Sequence, residues 1–223
     1  MAVAFDAVGP SSAGTGTEGT TSINWSHTCT GSNRLLVVGA CMGAGNNTVT
    51  LTVTYNSVAM TSAGRINSNT PSDDGYVEMF YLVAPATGAH TVVVTCDGTR
   101  DLLGGSVSFT GVDQATPVSG ATTSAGDSGS PSVTVSSNSG DMVVDALCCG
   151  NGTGTPITSG QTNRWTKTLN NGSGAGNGAQ STASGSASVN MTYTTQSDWW
   201  GMVGMNLKAS APTSGPVTAW LTA

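Results

Sequence analysis

The residues with the most pointed chemical potential are Ser128, in Gly126-Asp-Ser-Gly-Ser-Pro131, His27, in Trp25-Ser-His-Thr-Cys29, and Asp73 or Asp74 between them. A serine nucleophile needs a base hydrogen-bonded to its hydroxyl, an acid that orients the base, and backbone donors for the oxyanion. The order His, Asp, Ser and the length of 223 residues suit acyl transfer by such a set. However, Ser128 lies in a stretch so rich in Ser and Gly that a short match arises readily. His27 reads more simply as a residue on a half-buried strand, and His90 as one at a strand start.

Oxygen ligands for calcium are offered by Asp73-Asp74-Gly75 with Asn67 and Asn69, and by Asp97 with Asp101. Neither group has the spacing of a known calcium loop, and solvated turn residues account for both. Five cysteines without C-x-x-C spacing, alongside two histidines, fit buried thiols better than a zinc site or a disulfide framework. The expectation is therefore a protein without catalytic residues, metal or cofactor. Sequons such as Asn24-Trp-Ser26 and Asn46-Asn-Thr48 arise easily in this composition and mean nothing without secretion.

The aromatic residues are more informative. Trp199 and Trp200 are adjacent, so on a strand one enters the core and the other reaches a surface. An exposed tryptophan can anchor a protein contact or stack on a sugar, and core or interface packing is the favoured reading. Trp220-Leu221, near the C-terminus, is hard to place in a core and reads as a plug into a partner. Trp199, Trp200, Trp220 and Leu221 are thus the candidate partner-binding residues.

The elements that would position these residues follow from a repeated pattern. Arg34-Leu-Leu-Val-Val-Gly-Ala-Cys-Met-Gly43 recurs in altered form as Asp141-Met-Val-Val-Asp-Ala-Leu-Cys-Cys-Gly150. Both are short apolar runs entered from a turn and left at a glycine, the pattern of strands buried on both faces. Downstream, Val92, Val94 and Cys96 match Val189, Met191 and Tyr193 at alternate positions, and each set precedes a closing strand, Ser106–Thr110 or Met202–Leu207. The shared order of landmarks reads as an internal duplication. Elsewhere Thr48–Tyr55 has period two, with Val49, Leu51, Val53 and Tyr55 on one face, and Asn56-Ser57 is a tight turn. No stretch carries a period of 3.6, so little helix is expected.

These patterns predict an all-β, antiparallel sandwich of jelly-roll type built from two sequence-similar halves. The unit spans 1–209: a first half of about 1–114, a Thr/Ser/Gly/Pro-rich connection over 115–131, and a second half over 132–209. Residues 210–223 form a C-terminal extension. A net charge of −6, with only six Lys and Arg, argues against sequence-independent nucleic-acid binding. No apolar run approaches a membrane span. No signal peptide is visible at Met1, which favours synthesis and use from the cytoplasm.

At Gly31-Ser-Asn-Arg-Leu-Leu-Val-Val38, Phe80-Tyr-Leu-Val-Ala-Pro85, Ser108-Phe-Thr-Gly-Val-Asp-Gln114 and Gly140-Asp-Met-Val-Val144, the chain resembles β-sandwich proteins encoded by tailed bacteriophages. The likeness runs from about Ala2 to Lys208 and rests on strand and turn patterns. It implies a virion surface component, assembled in the host cytoplasm and exposed on the particle: head decoration, fibre or tail-associated protein. Its implied partners are the major capsid protein, other virion proteins and copies of itself in a symmetric assembly, with a surface glycan as the alternative. The loop at Ser128 is in turn similar to the nucleophile loop of chymotrypsin-like serine proteases. It departs from that loop because Ser130 replaces the second glycine, the residues before His27 do not match the histidine motif, and no processed N-terminus is recognisable.

Overall fold

The computed structural model describes residues 1–43, 49–68, 75–150, 157–158, 161–169 and 176–211. Among these there is no helix, as the absence of a 3.6 period predicts, and every sheet is antiparallel.

The first half contributes β1 (Ala4–Gly9), β2 (Thr15–Cys29), β3 (Leu35–Gly43), β4 (Leu51–Tyr55), β5 (Val58–Ala59), β6 (Thr61–Asn67), β7 (Gly75–Val83) and β8 (Gly88–Thr110). Strand β8 is 23 residues long and serves two layers. Up to Cys96 it lies between β2 and β4; from Asp101 onward it lies beside β3, with β1 and the start of β2 on its other edge. The β2–β8 register shifts around Thr20, near the change of neighbours. Irregularities of that kind bend and twist a ribbon, letting one sheet fold over on itself. The outer layer runs β2–β8–β4–β5 and the inner layer β1–β8–β3–β7–β6.

The second half contributes β9 (Val118–Ser128), β10 (Ser132–Val135), β11 (Met142–Cys149), β12 (Ile157–Thr158), β13 (Thr162–Thr168), β14 (Asn177–Ser184), β15 (Val189–Thr194) and β16 (Asp198–Leu207). Its inner sheet has the order β9–β16–β11–β14–β13 and its outer sheet β10–β15–β12.

The four layers enclose three apolar interfaces, and the alternation of β3 and β11 explains why. Leu36, Val38, Ala40 and Met42 face the first outer layer, joining Ile23, Trp25, Val92, Val94 and Cys96. Leu35, Val37 and Cys41 face the other way, into a central cluster with Val144, Ala146 and Cys148 of β11 and Val203, Met205 and Leu207 of β16. The opposite face of β11, with Val143, Leu147 and Cys149, packs on Val133, Val135, Val189, Met191 and Tyr193. The two matched runs are therefore each buried on both faces, as expected, and they meet back to back.

Outside the centre, the sheets are pinned by a tryptophan. Trp165 of β13 is fully buried and donates from Nε1 to Gln180 Oε1 at 2.7 Å. A Cβ on Gly105 of β8 would stand 2.6 Å from three atoms of its indole, so the ring lies directly on bare backbone of the first half. Arg164 stacks on Phe5 of β1 at 3.7 Å, and Thr166 N–H donates to Ser12 O, along the same seam.

One expectation about a segment is corrected. The stretch read as a connection between halves carries β9, an 11-residue edge strand paired with β16 from Asp198↔Ser128 to Leu207↔Val118. Its composition looked like a linker because small Ser, Thr, Gly and Ala residues suffice for an edge strand with one partner.

Candidate functional site

Strand pairing places the proposed chemical groups apart. His27 is buried on β2, and its Nδ1 lies 2.8 Å from Ser106 Oγ on β8. That hydroxyl also receives Trp25 Nε1–H at 2.8 Å and lies 3.2 Å from Gly9 O. A proton on His27 Nδ1 satisfies all three contacts: two N–H groups donate to Oγ, and the hydroxyl donates to Gly9 O. Burial pushes the His27 pKa down to about 4, against a smaller opposing pull from the Asp6 carboxylate. The result is a neutral imidazole in a closed core, with Nε2 lacking a partner among the described residues.

Ser128, at the end of β9, accepts a hydrogen bond from Trp200 Nε1 at 3.1 Å and one from Ser130 N–H at 3.3 Å. The structure does not bring His27 to Ser128. Asp73 and Asp74 lie outside the described residues, as do Asn46, Asn69, Trp220 and Leu221.

The calcium candidates are engaged in local structure. Asp97 Oδ1 accepts Thr50 N–H at 3.0 Å and Asp101 Oδ1 accepts Gly19 N–H at 2.8 Å, each tying β8 to a neighbouring segment. Among the described residues no three His, Cys, Asp or Glu side chains converge as a metal site. His90 bonds Thr87 O at 3.1 Å near a strand start, and the five cysteines are buried free thiols.

The tandem tryptophans divide as the alternation of a strand requires. Trp200 is buried in the second sandwich, over Gly126. Trp199 is 39 % exposed, an unusual state for so large an apolar side chain among the described residues. Next to it, the Asp198 carboxylate caps Trp199 N–H at 2.7 Å. Trp199 pairs with Asp127 of β9, whose other edge carries no partner strand among the described residues. That edge has only Asp127 as a charged residue, whereas the edge strands β6 and β13 carry Arg65, and Arg164 with Lys167. Charges on an edge discourage pairing with another chain, so β9 is the least protected of these edges.

A second feature escaped the sequence reading: an acid in the middle of β11. Asp145 is fully buried in the second sandwich. Its Oδ1 accepts Ser181 N–H at 2.8 Å, Ser181 Oγ–H at 2.9 Å and Tyr193 O–H at 2.9 Å; Oδ2 accepts Gln161 Nε2–H at 3.2 Å. Burial pushes its pKa up to about 7, although the hydrogen bonds from Ser181 and Tyr193 pull the other way. The signal was available in Met142-Val-Val-Asp-Ala-Leu-Cys-Cys149, where a charge interrupts an otherwise apolar strand.

Gln161 also forms one wall of an open cleft of about 590 Å³ at the mouth of the second sandwich. Thr182, Ser184, Ser186, Ser188 and Asn190 line it with hydroxyl and amide groups and no formal charge. Such a surface can exchange hydrogen bonds with a neutral, hydroxyl-rich molecule. Trp199 is not among its walls. Comparison of the chain with protein families, with curated proteins and with solved structures finds no match.

Proposed function

We propose that this chain is a non-enzymatic virion structural protein of a tailed bacteriophage, a capsid decoration protein that docks on the particle surface and stabilises it. The observation that carries this reading is Trp199, an outward-facing tryptophan standing beside the unprotected β9 edge of a four-layer body. A stiff body with an aromatic anchor is suited to passive attachment, and modest contacts sum when every copy repeats them under the shell's symmetry. The C-terminal residues Trp220 and Leu221 are proposed as a second contact with the major capsid protein or a neighbouring copy.

The same reading includes a jelly-roll connection and an internal duplication. In each half the first strand pairs with the last stretch, the second with the stretch before it, and the third with the strand inside that: β1, β2 and β3 with β8, β8 and β7, then β9, β10 and β11 with β16, β15 and β14. Such nested pairing is how a long hairpin rolls into two layers. Both outer edges also carry an irregularity at matching places, between Ser62 and Gly64 in β6 and between Asn163 and Trp165 in β13.

Trp199→Ala should weaken binding to chain-free particles by tenfold or more, the scale of an interfacial hot spot, while thermal stability stays unchanged. Removing the residues after Ser210 should likewise lower occupancy without unfolding the body. Undiminished occupancy in both variants refutes the attachment reading.

The polar cleft favours a second reading, a tail-fibre module that binds a surface glycan. A glycan-array signal lost on Asn190→Ala, with particle binding absent, decides for this alternative.

A further inference from the structure

We infer that Cys41 and Cys148 form a cystine-forming pair, a covalent latch between the two sandwiches that closes when the protein meets a small-molecule disulfide. Two faces of packed β-sheet lie about 10 Å apart as a rule, too far for a cystine to bridge. Here that gap is collapsed. A Cβ on Gly39 would stand 3.1 Å from Ala146 Cβ, so the Ala146 methyl of β11 rests against bare backbone of β3. Cβ atoms joined by a disulfide stand about 3.5–4.5 Å apart, and the local approach is of that order.

Cys41 and Cys148 lie two residues further along these strands, on the same faces. The Cys41 thiol donates to Leu147 O at 3.3 Å and is in hydrogen-bonding contact with the Cys148 thiol. A Cβ on Gly178, the β14 partner of Cys148, would lie 3.1 Å from Cys41 Sγ, which places that sulfur over the strand position beside Cys148. The other thiols are not rivals. Cys149 points from the opposite face of β11 into the outer interface, and Cys29 and Cys96 lie beyond β3 in the first sandwich.

Burial holds the Cys41 thiol well above its usual range, and the side chain is almost entirely shielded from solvent. Exchange therefore proceeds when the central interface opens, or before it closes during folding. One cysteine thiolate attacks oxidised glutathione, forming a mixed disulfide and releasing one glutathione thiolate. The second cysteine thiolate then attacks the protein sulfur of that mixed disulfide and releases the other glutathione. Two protein thiols lose two protons and two electrons, and the reagent disulfide is reduced to two thiols. The bond closes a loop spanning about half the chain, so the denatured state loses much of its freedom.

The test is incubation of the full chain with oxidised glutathione in sub-denaturing urea, followed by thiol titration after unfolding. The expected product has three free thiols in place of the five in the reduced chain, a mass lower by two hydrogens, and a single cross-linked peptide pair containing Cys41 and Cys148. Its thermal midpoint should rise by about 10 °C, and the rise should vanish on adding a reductant. C41S and C148S should each show no such rise. Five thiols persisting after prolonged incubation, or a cross-link joining any other pair, overturns the proposal.

Discussion

Trp165→Ala should destabilise the protein by about 3–5 kcal/mol, the range for removing a large buried aromatic, and should be the most damaging single substitution on the seam between the sandwiches. The side chain has no exposed surface, and its ring touches both halves of the chain. It lies on Gly105 of β8 and reaches Gly14 and Gly39 of the first half, while its Nε1 is held by Gln180 of β14. Its loss leaves a cavity framed by backbone, which cannot collapse as flexible side chains do. Trp165→Phe keeps a ring on Gly105 but leaves Gln180 Oε1 without its donor, and should cost about 1–2 kcal/mol. The reciprocal change, Gly105→Ala, places a methyl 2.6 Å from the indole and should cost about 1–3 kcal/mol by forcing the ring away. Urea denaturation checks all three, read as a lower midpoint at constant slope. A Trp165→Ala midpoint within experimental error of the parent would show that the seam is held elsewhere.

Trp165 also marks where sequence reading reached and where it stopped. The strands β3 and β11 were legible because both faces bury apolar residues, which leaves continuous hydrophobic runs. Strands β4 and β15 were legible from alternation, with Leu51, Val53 and Tyr55, or Val189, Met191 and Tyr193, all facing inward. Strand β14 left no such trace. It runs Asn-Gly-Ala-Gln-Ser-Thr-Ala-Ser and is buried through Thr182, yet only its alanines are apolar. Its burial is satisfied instead by the partners of Gln180, Ser181 and Thr182: the indole of Trp165, the carboxylate of Asp145 and the guanidinium of Arg164. Those partners come from other strands, and no local pattern announces them. The same holds for the candidate site. The split of Trp199 and Trp200 between surface and core follows from alternation alone, whereas the cleft and the Asp145 cluster exist only once β13, β14 and β15 are assembled.

His27 and Asp145 should make stability respond to pH in opposite directions, and separating them should expose two slopes that nearly cancel in the parent protein. The neutral imidazole of His27 is favoured in the fold, so its contribution is fully present above the unfolded pKa of 6.5 and is lost as pH falls toward about 4. The shift corresponds to about 3 kcal/mol. Asp145 works the other way. Its protonated form is favoured in the fold, so its contribution is full below 3.8 and is lost as pH rises toward about 7, again by a few kcal/mol. Glu78, raised by burial against the hydrogen bond from Ser62 and the charge of Arg65, adds to the slope of Asp145. Asp6 and Asp141, both lowered because their hydrogen bonds outweigh burial, act only below the ordinary carboxylate range. Between pH 4 and 6.5 the parent should therefore vary little. Asp145→Asn keeps an acceptor for Ser181 and Tyr193 but no longer titrates, so this variant should lose about 3 kcal/mol as pH drops from 6.5 to 4. His27→Gln should do the reverse and weaken as pH climbs from 4 to 7. Urea midpoints measured across that range decide the matter: parallel profiles for the two variants would mean that neither buried group titrates in the fold as its surroundings require.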